Sequence, residues 1–372
     1  MFHLYGRILT LSKEKINTME NEQHYIEEDV EFVVEAKELN GILTLPAKEG
    51  PHPAIVLLHG ADRSSAADPY YRVHAQNLVQ SGFAVLRYNA PGWGGQSADG
   101  PGFETLEYRT VEAIAAVKYL QSRPDIRSSS VGLWGFSQGG WICQMAAAAY
   151  EGVAFIIPIS GPGVTPAEQE VFRVGAESRA AGFEDDEIAR AVLIRRLMVD
   201  IVLLEPIYQT SNQAEAERLG DGPWVEIMEL ICSPNPVDPE LELVRTIEVM
   251  NRIKDERWAK FLHLGQLLPM LESLPPEAWG SAKAQLRALM NVNPADYLTK
   301  VHCPVLAIFG ERDTSLPVQK SIDHYERYLE EAGNENVTIE LFPDADHAIH
   351  VNGDFAPGYF ETINSWLVQL NQ

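Results

Sequence analysis

Val131-Gly132-Leu133-Trp134-Gly135-Phe136-Ser137-Gln138-Gly139-Gly140-Trp141 is the stretch on which the reading of the whole chain turns. Val131 to Phe136 is apolar and β-prone, and Trp141 to Tyr150 is alanine-rich and helix-prone. Between them Gly135, Ser137 and Gly139 form the pattern G-x-S-x-G. A serine on so tight a strand-to-helix bend is held in a strained conformation that pushes its Oγ clear of the sheet. Glycines flank it because side chains there would meet the neighbouring strand and helix. The backbone N–H of Gln138 falls at the helix N-terminus, where a developing negative charge is stabilised. The pentapeptide alone is compatible with an ordinary βα turn. The strand before it and the helix after it favour a presented, reactive serine.

Composition sets outer bounds. A chain of 372 residues holds one large domain with an insertion, or two domains, and 45% hydrophobic residues support a sizeable core. Lys and Arg number 29 against 53 Asp and Glu, a formal charge of -24. That balance argues against nucleic-acid phosphate as a partner and against an electrostatic hold on anionic membranes. A soluble, acidic surface is the simpler reading. The three cysteines, Cys143, Cys232 and Cys303, are too few and too scattered for a disulfide framework or a zinc site. No apolar run reaches transmembrane length, and Met1 to Thr18 lacks a long apolar core and a small-residue cleavage site. Residues 1–29 read as an N-terminal extension, with a second methionine, Met19, before an acidic stretch. A reducing, cytoplasmic location is expected.

Working outward from the serine turn, the flanking segments alternate strand and helix. Val30–Glu35 and Gly41–Leu45 read as two strands joined around Asn40-Gly41, a favoured hairpin turn. Ala54–Leu58 is a continuous apolar run, the pattern of a strand buried on both faces, and it ends in His59-Gly60-Ala61-Asp62. Tyr70–Gln80 suits a crossover helix closed by Gly82, and Phe83–Tyr88 is the next strand. The loop Asn89–Gly95 does not match G-x-G-x-x-G and has no acidic residue placed for a ribose, so a dinucleotide site is not expected. Leu106–Leu120 has helical spacing at Leu106, Ile114, Val117 and Leu120, and Val153–Ile159 is a further strand. Strand–helix alternation predicts an α/β fold with a mainly parallel sheet, whose sites lie beyond the carboxyl ends of its strands. His59, Asn89 and Ser137 fall at such ends.

The rhythm changes after Ser160-Gly161-Pro162-Gly163. Thr165-Pro166-Ala167-Glu168 is a capped helix start, and Asp238-Pro239 opens another helix with Leu243, Ile247, Met250 and Ile253 on one face. Residues 164–293 carry no buried-strand pattern and read as a helical cap, far longer than an ordinary connection and expected over the sheet's carboxyl end. Its Trp224, Met228, Met250, Trp258, Met270 and Trp279 could line an apolar pocket, although such residues more often form core. The core resumes over residues 294–372, completing the part begun at 30–163. Cys303–Phe309 and Val337–Phe342 are strands, Ser321–Ala332 is a helix, and Phe355–Leu370 is a closing amphipathic helix.

A serine hydroxyl becomes a useful nucleophile only when a base takes its proton and an acid orients that base. Asp313 follows the strand 305–309 and His347 follows the strand 337–342, so both emerge at the edge that carries Ser137. Glu311 and Asp346 are rival carboxylates; His350 and His324 are rival imidazoles. Gly310-Glu311-Arg312-Asp313 suits a turn that brings Asp313 back to the site, and His347 sits nearer its strand than His350.

With these residues in view, the chain resembles the α/β-hydrolase fold serine hydrolases. It is most similar to bacterial esterases related to dienelactone hydrolase and to the prolyl-oligopeptidase-type hydrolase domain. Leu58-His59-Gly60, Gly135 to Gly140, Ile159 to Gly163, Gly310 to Asp313 and Asp346-His347 carry the resemblance, over roughly residues 40–162 and 300–372. The family's chain order of Ser, Asp, His is filled by Ser137, Asp313 and His347. The resemblance implies one oxyanion N–H from Ala61, with Gln138 as the other. Many relatives carry an Asp and an Arg where this chain has Asn89 and Pro91. The activity implied is hydrolysis of carboxylic esters, with a small-molecule acyl substrate, no cofactor and no metal. No nucleic acid and no integral membrane segment are implied, and a homodimer is one assembly to consider. A serine peptidase, a thioesterase and an acyltransferase can use the same triad, and a non-catalytic ligand-binding protein of this fold is the alternative from another class.

Overall fold

The computed structural model describes residues 25–61, 64–89, 105–203 and 238–370. The apolar runs assemble into an eight-stranded sheet, in the order β1-β2-β4-β3-β5-β6-β7-β8. The strands are β1 (Tyr25–Val34), β2 (Lys37–Pro46), β3 (His52–Leu58), β4 (Ala84–Tyr88), β5 (Ile126–Phe136), β6 (Ile156–Ile159), β7 (Val305–Gly310) and β8 (Val337–Phe342). β1 with β2 and β2 with β4 are antiparallel, and every other neighbouring pair is parallel. The continuous run in β3 is explained by its central place: Ile55, Val56, Leu57 and Leu58 are all fully buried, each contributing on the order of 2 kcal/mol. The fold is therefore the expected α/β one, a mostly parallel sheet flanked by helices.

Helices α1 (Pro69–Gln80), α2 (Leu106–Ser122) and α3 (Gln138–Ala149) serve the sheet. Asp68 caps α1 by accepting from the Tyr70 N–H, and Thr105 caps α2 by accepting from the Tyr108 N–H. The buried residues of α2 are Leu106, Arg109, Thr110, Glu112, Ala113, Ala116, Val117 and Leu120, with Ile114 only half-buried. Arg109 and Glu112 are its two charged side chains.

Between β6 and β7 the chain departs into a large helical insertion. Its described helices are α4 (Pro166–Ala180), α5 (Asp185–Leu203), α6 (Pro239–Ile253), α7 (Leu264–Ser273) and α8 (Trp279–Met290). Val164–Val292 with Thr314–Pro317 form one compact unit, and the sheet belongs to the other. α4 opens with the capping box foreseen in Thr165 and Glu168. Met250, Trp258 and Trp279 pack with Val174, Leu197 and Leu243 in the insertion's own hydrophobic core, while Met270 is exposed. A buried charge group stands beside this core. Arg173 Nη2 lies 2.9 Å from Glu170 Oε2, and Arg195 Nη2 lies 3.7 Å from it. Burial pushes the Glu170 carboxyl up, but Arg173 and Arg195 outweigh it and hold the pKa at about 2.

Helices α9 (Val318–Glu331) and α10 (Tyr359–Leu370) complete the sheet unit. Among the described residues no helix is long and apolar enough to cross a membrane.

Two local expectations are corrected. The β1–β2 turn is Glu35-Ala36, closed by the Val34–Lys37 pair with Glu35 at φ 55°, and Asn40-Gly41 lies inside β2 opposite Glu31 and Val30. Gly41 is there for approach: a Cβ on it would stand 2.5 Å from the Arg87 carbonyl oxygen of β4. Keeping residues 37–39 in the strand also pairs buried Phe32 with buried Leu39, which a turn at Asn40 would forfeit. The closing helix begins at Tyr359 rather than Phe355. Phe355 instead pairs with His350 in a short hairpin, and Pro357 with Gly358 at φ 85° stops the helix from starting earlier. Met1 to Met19, residues 90–95, Trp224, Met228 and Cys232 lie outside the described residues.

Candidate active site

Ser137 joins β5 to α3 with φ 53° and ψ -114°, a conformation that a non-glycine residue adopts only under strain. Sterics around it explain the glycines. A Cβ on Gly135 would stand 2.2 Å from the Gly139 oxygen, and one on Gly139 would stand 2.6 Å from the Leu58 oxygen of β3. The Ser137 N–H donates to the Ile159 carbonyl at 2.8 Å, fixing the turn to β6.

The structure brings Ser137, His347 and Asp313 together although Ser137 and His347 are 210 residues apart in sequence. His347 Nε2 is 2.9 Å from Ser137 Oγ, and His347 Nδ1 is 2.6 Å from Asp313 Oδ2. A carboxylate only accepts, so Nδ1 carries the hydrogen and Nε2 is left to accept from the serine. All three residues are buried. Two loops are laced to bring this about. The Arg312 N–H donates to Ala345 O at 2.8 Å, and the Glu311 N–H donates to Phe342 O at 3.0 Å. Ser160, at φ 45°, donates its hydroxyl to the His347 carbonyl at 2.8 Å.

The rival residues have other partners. Glu311 accepts the Asp344 N–H, and Asp346 accepts the N–H groups of Ala348 and His350. The His350 ring packs against Phe355, and His324 Nδ1 donates to the Gly163 carbonyl. Asn89 accepts the Ala66 N–H through its side chain and donates its own N–H to Asn40 O.

Ala61 and Gln138 both lie at carboxyl ends of neighbouring parallel strands, Ala61 after β3 and Gln138 after β5. Gln138 is the first residue of α3, so its N–H is one of that helix's free donors. His59 donates Nε2–H to Tyr88 O at 2.6 Å; burial, and then the charge of Arg109, lower its pKa to about 3. His59 is thus a neutral anchor for the loop.

Arg109 was not foreseen. Its guanidinium donates to His59 O at 2.7 Å, to Gly60 O at 3.1 Å and to the Gln138 side-chain oxygen. The signal available in the sequence was a charge three residues after Leu106, on the side of the helix that carries the apolar positions. Ser160 was quoted only as part of a loop, and its left-handed backbone leaves no sequence mark.

A model of the alpha/beta hydrolase family matches residues 55–356. Among curated proteins, acyl-coenzyme A thioesterase 1 of Homo sapiens is 35% identical over 132 residues, covering 34% of this chain and 28% of the relative. The esterase EstD of Thermotoga maritima is 33% identical over 132 residues, covering 33% and 31%. A putative carboxymethylenebutenolidase of Salmonella typhimurium is 41% identical over 69 residues, covering 18% and 24%. The chain thus spans about a third or less of the length of these relatives. Among solved structures an esterase of Pyrococcus furiosus superposes with a TM-score of 0.53 at 16% identity, over 93% of this chain and 91% of the other, a likeness of fold.

Proposed function

Because the chain belongs to the alpha/beta hydrolase family, we propose that it cleaves carboxylic esters through an acyl-enzyme on Ser137. The observation that carries this reading is the unbroken run of contacts from Ser137 Oγ to His347 Nε2 and from His347 Nδ1 to Asp313 Oδ2. Ser137 Oγ attacks the ester carbonyl carbon as His347 Nε2 takes its proton. The carbonyl oxygen becomes an oxyanion held by the N–H groups of Ala61 and Gln138; one such donor is worth on the order of 3 kcal/mol of barrier. Collapse breaks the bond to the alcohol, which leaves with the proton from Nε2. Water, deprotonated by His347, then attacks the acyl carbon and releases the acid and Ser137. Asp313 keeps the hydrogen on Nδ1 and stabilises the imidazolium form.

A second reading is favoured by the human acyl-coenzyme A thioesterase relatives, at 35% and 34% identity over 132 and 127 residues. The same steps apply, with a thiol in place of the alcohol. One set of assays tests both. A fluorophosphonate is expected to label one serine, Ser137, and a panel of p-nitrophenyl esters, acyl-coenzyme A thioesters and aminoacyl anilides ranks the leaving groups. We expect esters to be turned over with the highest kcat/KM, and Ser137→Ala to abolish both turnover and labelling. Labelling at another serine, or turnover that survives Ser137→Ala, rejects the assignment; a preference for thioesters selects the second reading.

A further inference from the structure

Arg109 stands out because burying a guanidinium is costly unless its N–H groups find acceptors. It is 8% exposed, on a helix whose other buried residues are leucine, alanine and valine with Thr110 and Glu112. The acceptors it reaches are neutral: the carbonyls of His59 and Gly60 and the side-chain oxygen of Gln138.

The chemistry of those acceptors is what matters. The Gly60 carbonyl and the Ala61 N–H belong to one planar trans peptide unit, so they point in opposite directions. Pinning the oxygen on Arg109 aims the Ala61 N–H the other way. A cation on the carbonyl also polarises the unit and strengthens its N–H as a donor. The Gly60 N–H is held in turn by the Tyr71 hydroxyl at 2.9 Å, which steadies the same glycine from its other side. Through Gln138 Oε1 the same guanidinium reaches the residue whose N–H opens α3. One side chain, 49 residues from Gly60 and 29 from Gln138 in sequence, therefore ties together the two segments that carry the donors.

We propose that Arg109 is a positioning residue that sets the spacing of the Ala61 and Gln138 N–H groups and strengthens the Ala61 donor, so that it acts on the oxyanion without touching it. This rests on the ester-hydrolase reading above. A misplaced donor acts on the transition state and not on ground-state binding, so kcat falls while KM stays.

Arg109→Lys and Arg109→Met are compared with the native enzyme on p-nitrophenyl butyrate and against a trifluoromethyl ketone, whose serine adduct carries an oxyanion. Arg109→Met is expected to lose about 10- to 100-fold in kcat with KM within about threefold. The ketone should weaken by about the same factor as kcat/KM. Arg109→Lys, which keeps the charge but cannot span all three oxygens, should fall between the two. A folded Arg109→Met with native kcat, or one whose loss lies in KM with ketone affinity intact, overturns the proposal. If neither variant folds, Gln138→Ala decides: it cuts one of the ties and should show the same kcat-only pattern at smaller size, and an unchanged kcat overturns the proposal. Native protein that neither hydrolyses the ester nor labels at Ser137 rejects the hydrolase reading, and this inference with it. Labelled, active native protein beside an unaffected Arg109→Met rejects the role of Arg109 alone.

Discussion

Acidification from about pH 7.5 to about pH 5 should destabilise the sheet unit by about 4 kcal/mol, through His59 and His74. Both imidazoles are buried, and both pKa values are lowered from 6.5 to about 3, in each case chiefly by burial. Burial keeps His74 neutral against the hydrogen bond that its Nδ1–H donates to Tyr70 O at 2.7 Å, which raises the pKa, and Nε2 accepts from the Tyr359 hydroxyl at 2.9 Å. Below a pH of about 6.5 the unfolded chain takes up a proton at each histidine and the folded chain does not. The stability from these groups is therefore whole above about pH 6.5 and drains away as the pH falls towards 3. At about pH 5 each site has lost about 1.5 units, or about 2 kcal/mol. The depressed carboxyl of Glu170, at about 2, enters only at lower pH and lies in the helical insertion. Urea unfolding at a series of pH values reads the effect, with His74→Phe as the control. Phenylalanine keeps the packing against Trp134, whose ring centroid is 4.5 Å away, and Phe355 at 5.2 Å, but removes the titration. The variant will be less stable at neutral pH, because the Tyr359 hydroxyl loses its acceptor. Its fall between pH 7.5 and 5 should nevertheless be about 2 kcal/mol smaller than the native one. Parallel curves for the two proteins, or a flat native curve, would refute the reasoning.

Asp313→Asn should keep the fold and lose about 10³- to 10⁴-fold in kcat, because an amide favours the other imidazole tautomer; near-native turnover in ester assays would transfer the role to Glu311 or Asp346. Glu170→Gln should destabilise the helical insertion by about 3 kcal/mol, since it leaves Arg173 and Arg195 buried with less compensation. Hydrogen exchange over α4 and α5 measures that loss, and unchanged protection there would show that Glu177 and solvent carry the charge instead.

Much of the fold was legible because it rests on local regularities. A buried parallel strand must be apolar on both faces, which marked β3, β5 and β7. A strand-to-helix bend too tight for side chains needs glycines, which marked Ser137. Thr165 and Glu168 announced α4 because capping is settled within one turn. Asp313 and His347 could be named because each follows a recognisable strand, and parallel strands deliver their following loops to one edge.

The chain alone did not decide what depends on which segments become neighbours. Asn40-Gly41 carries a strong local turn signal, yet the glycine answers to the backbone of β4 and the turn falls at Glu35-Ala36. Phe355 has a helical pattern, but its pairing with His350 and the stop at Pro357-Gly358 prevail. The turn Gly310–Asp313 favoured Asp313 over Glu311 but left Glu311 without a partner; the hydrogen bonds between the loops after β7 and β8 give it the Asp344 N–H and leave Asp313 to His347. Arg109 is the furthest case. Periodicity records which face of a helix is inward, but not that two carbonyls and an amide from distant segments wait there to receive a cation. The sequence by itself determined the elements, their order and the residue types of the site, because these follow from local conformation and spacing. Only the tertiary structure decided what Glu311 and Arg109 hold, because those contacts exist only once the order of strands in the sheet has set which loops are adjacent.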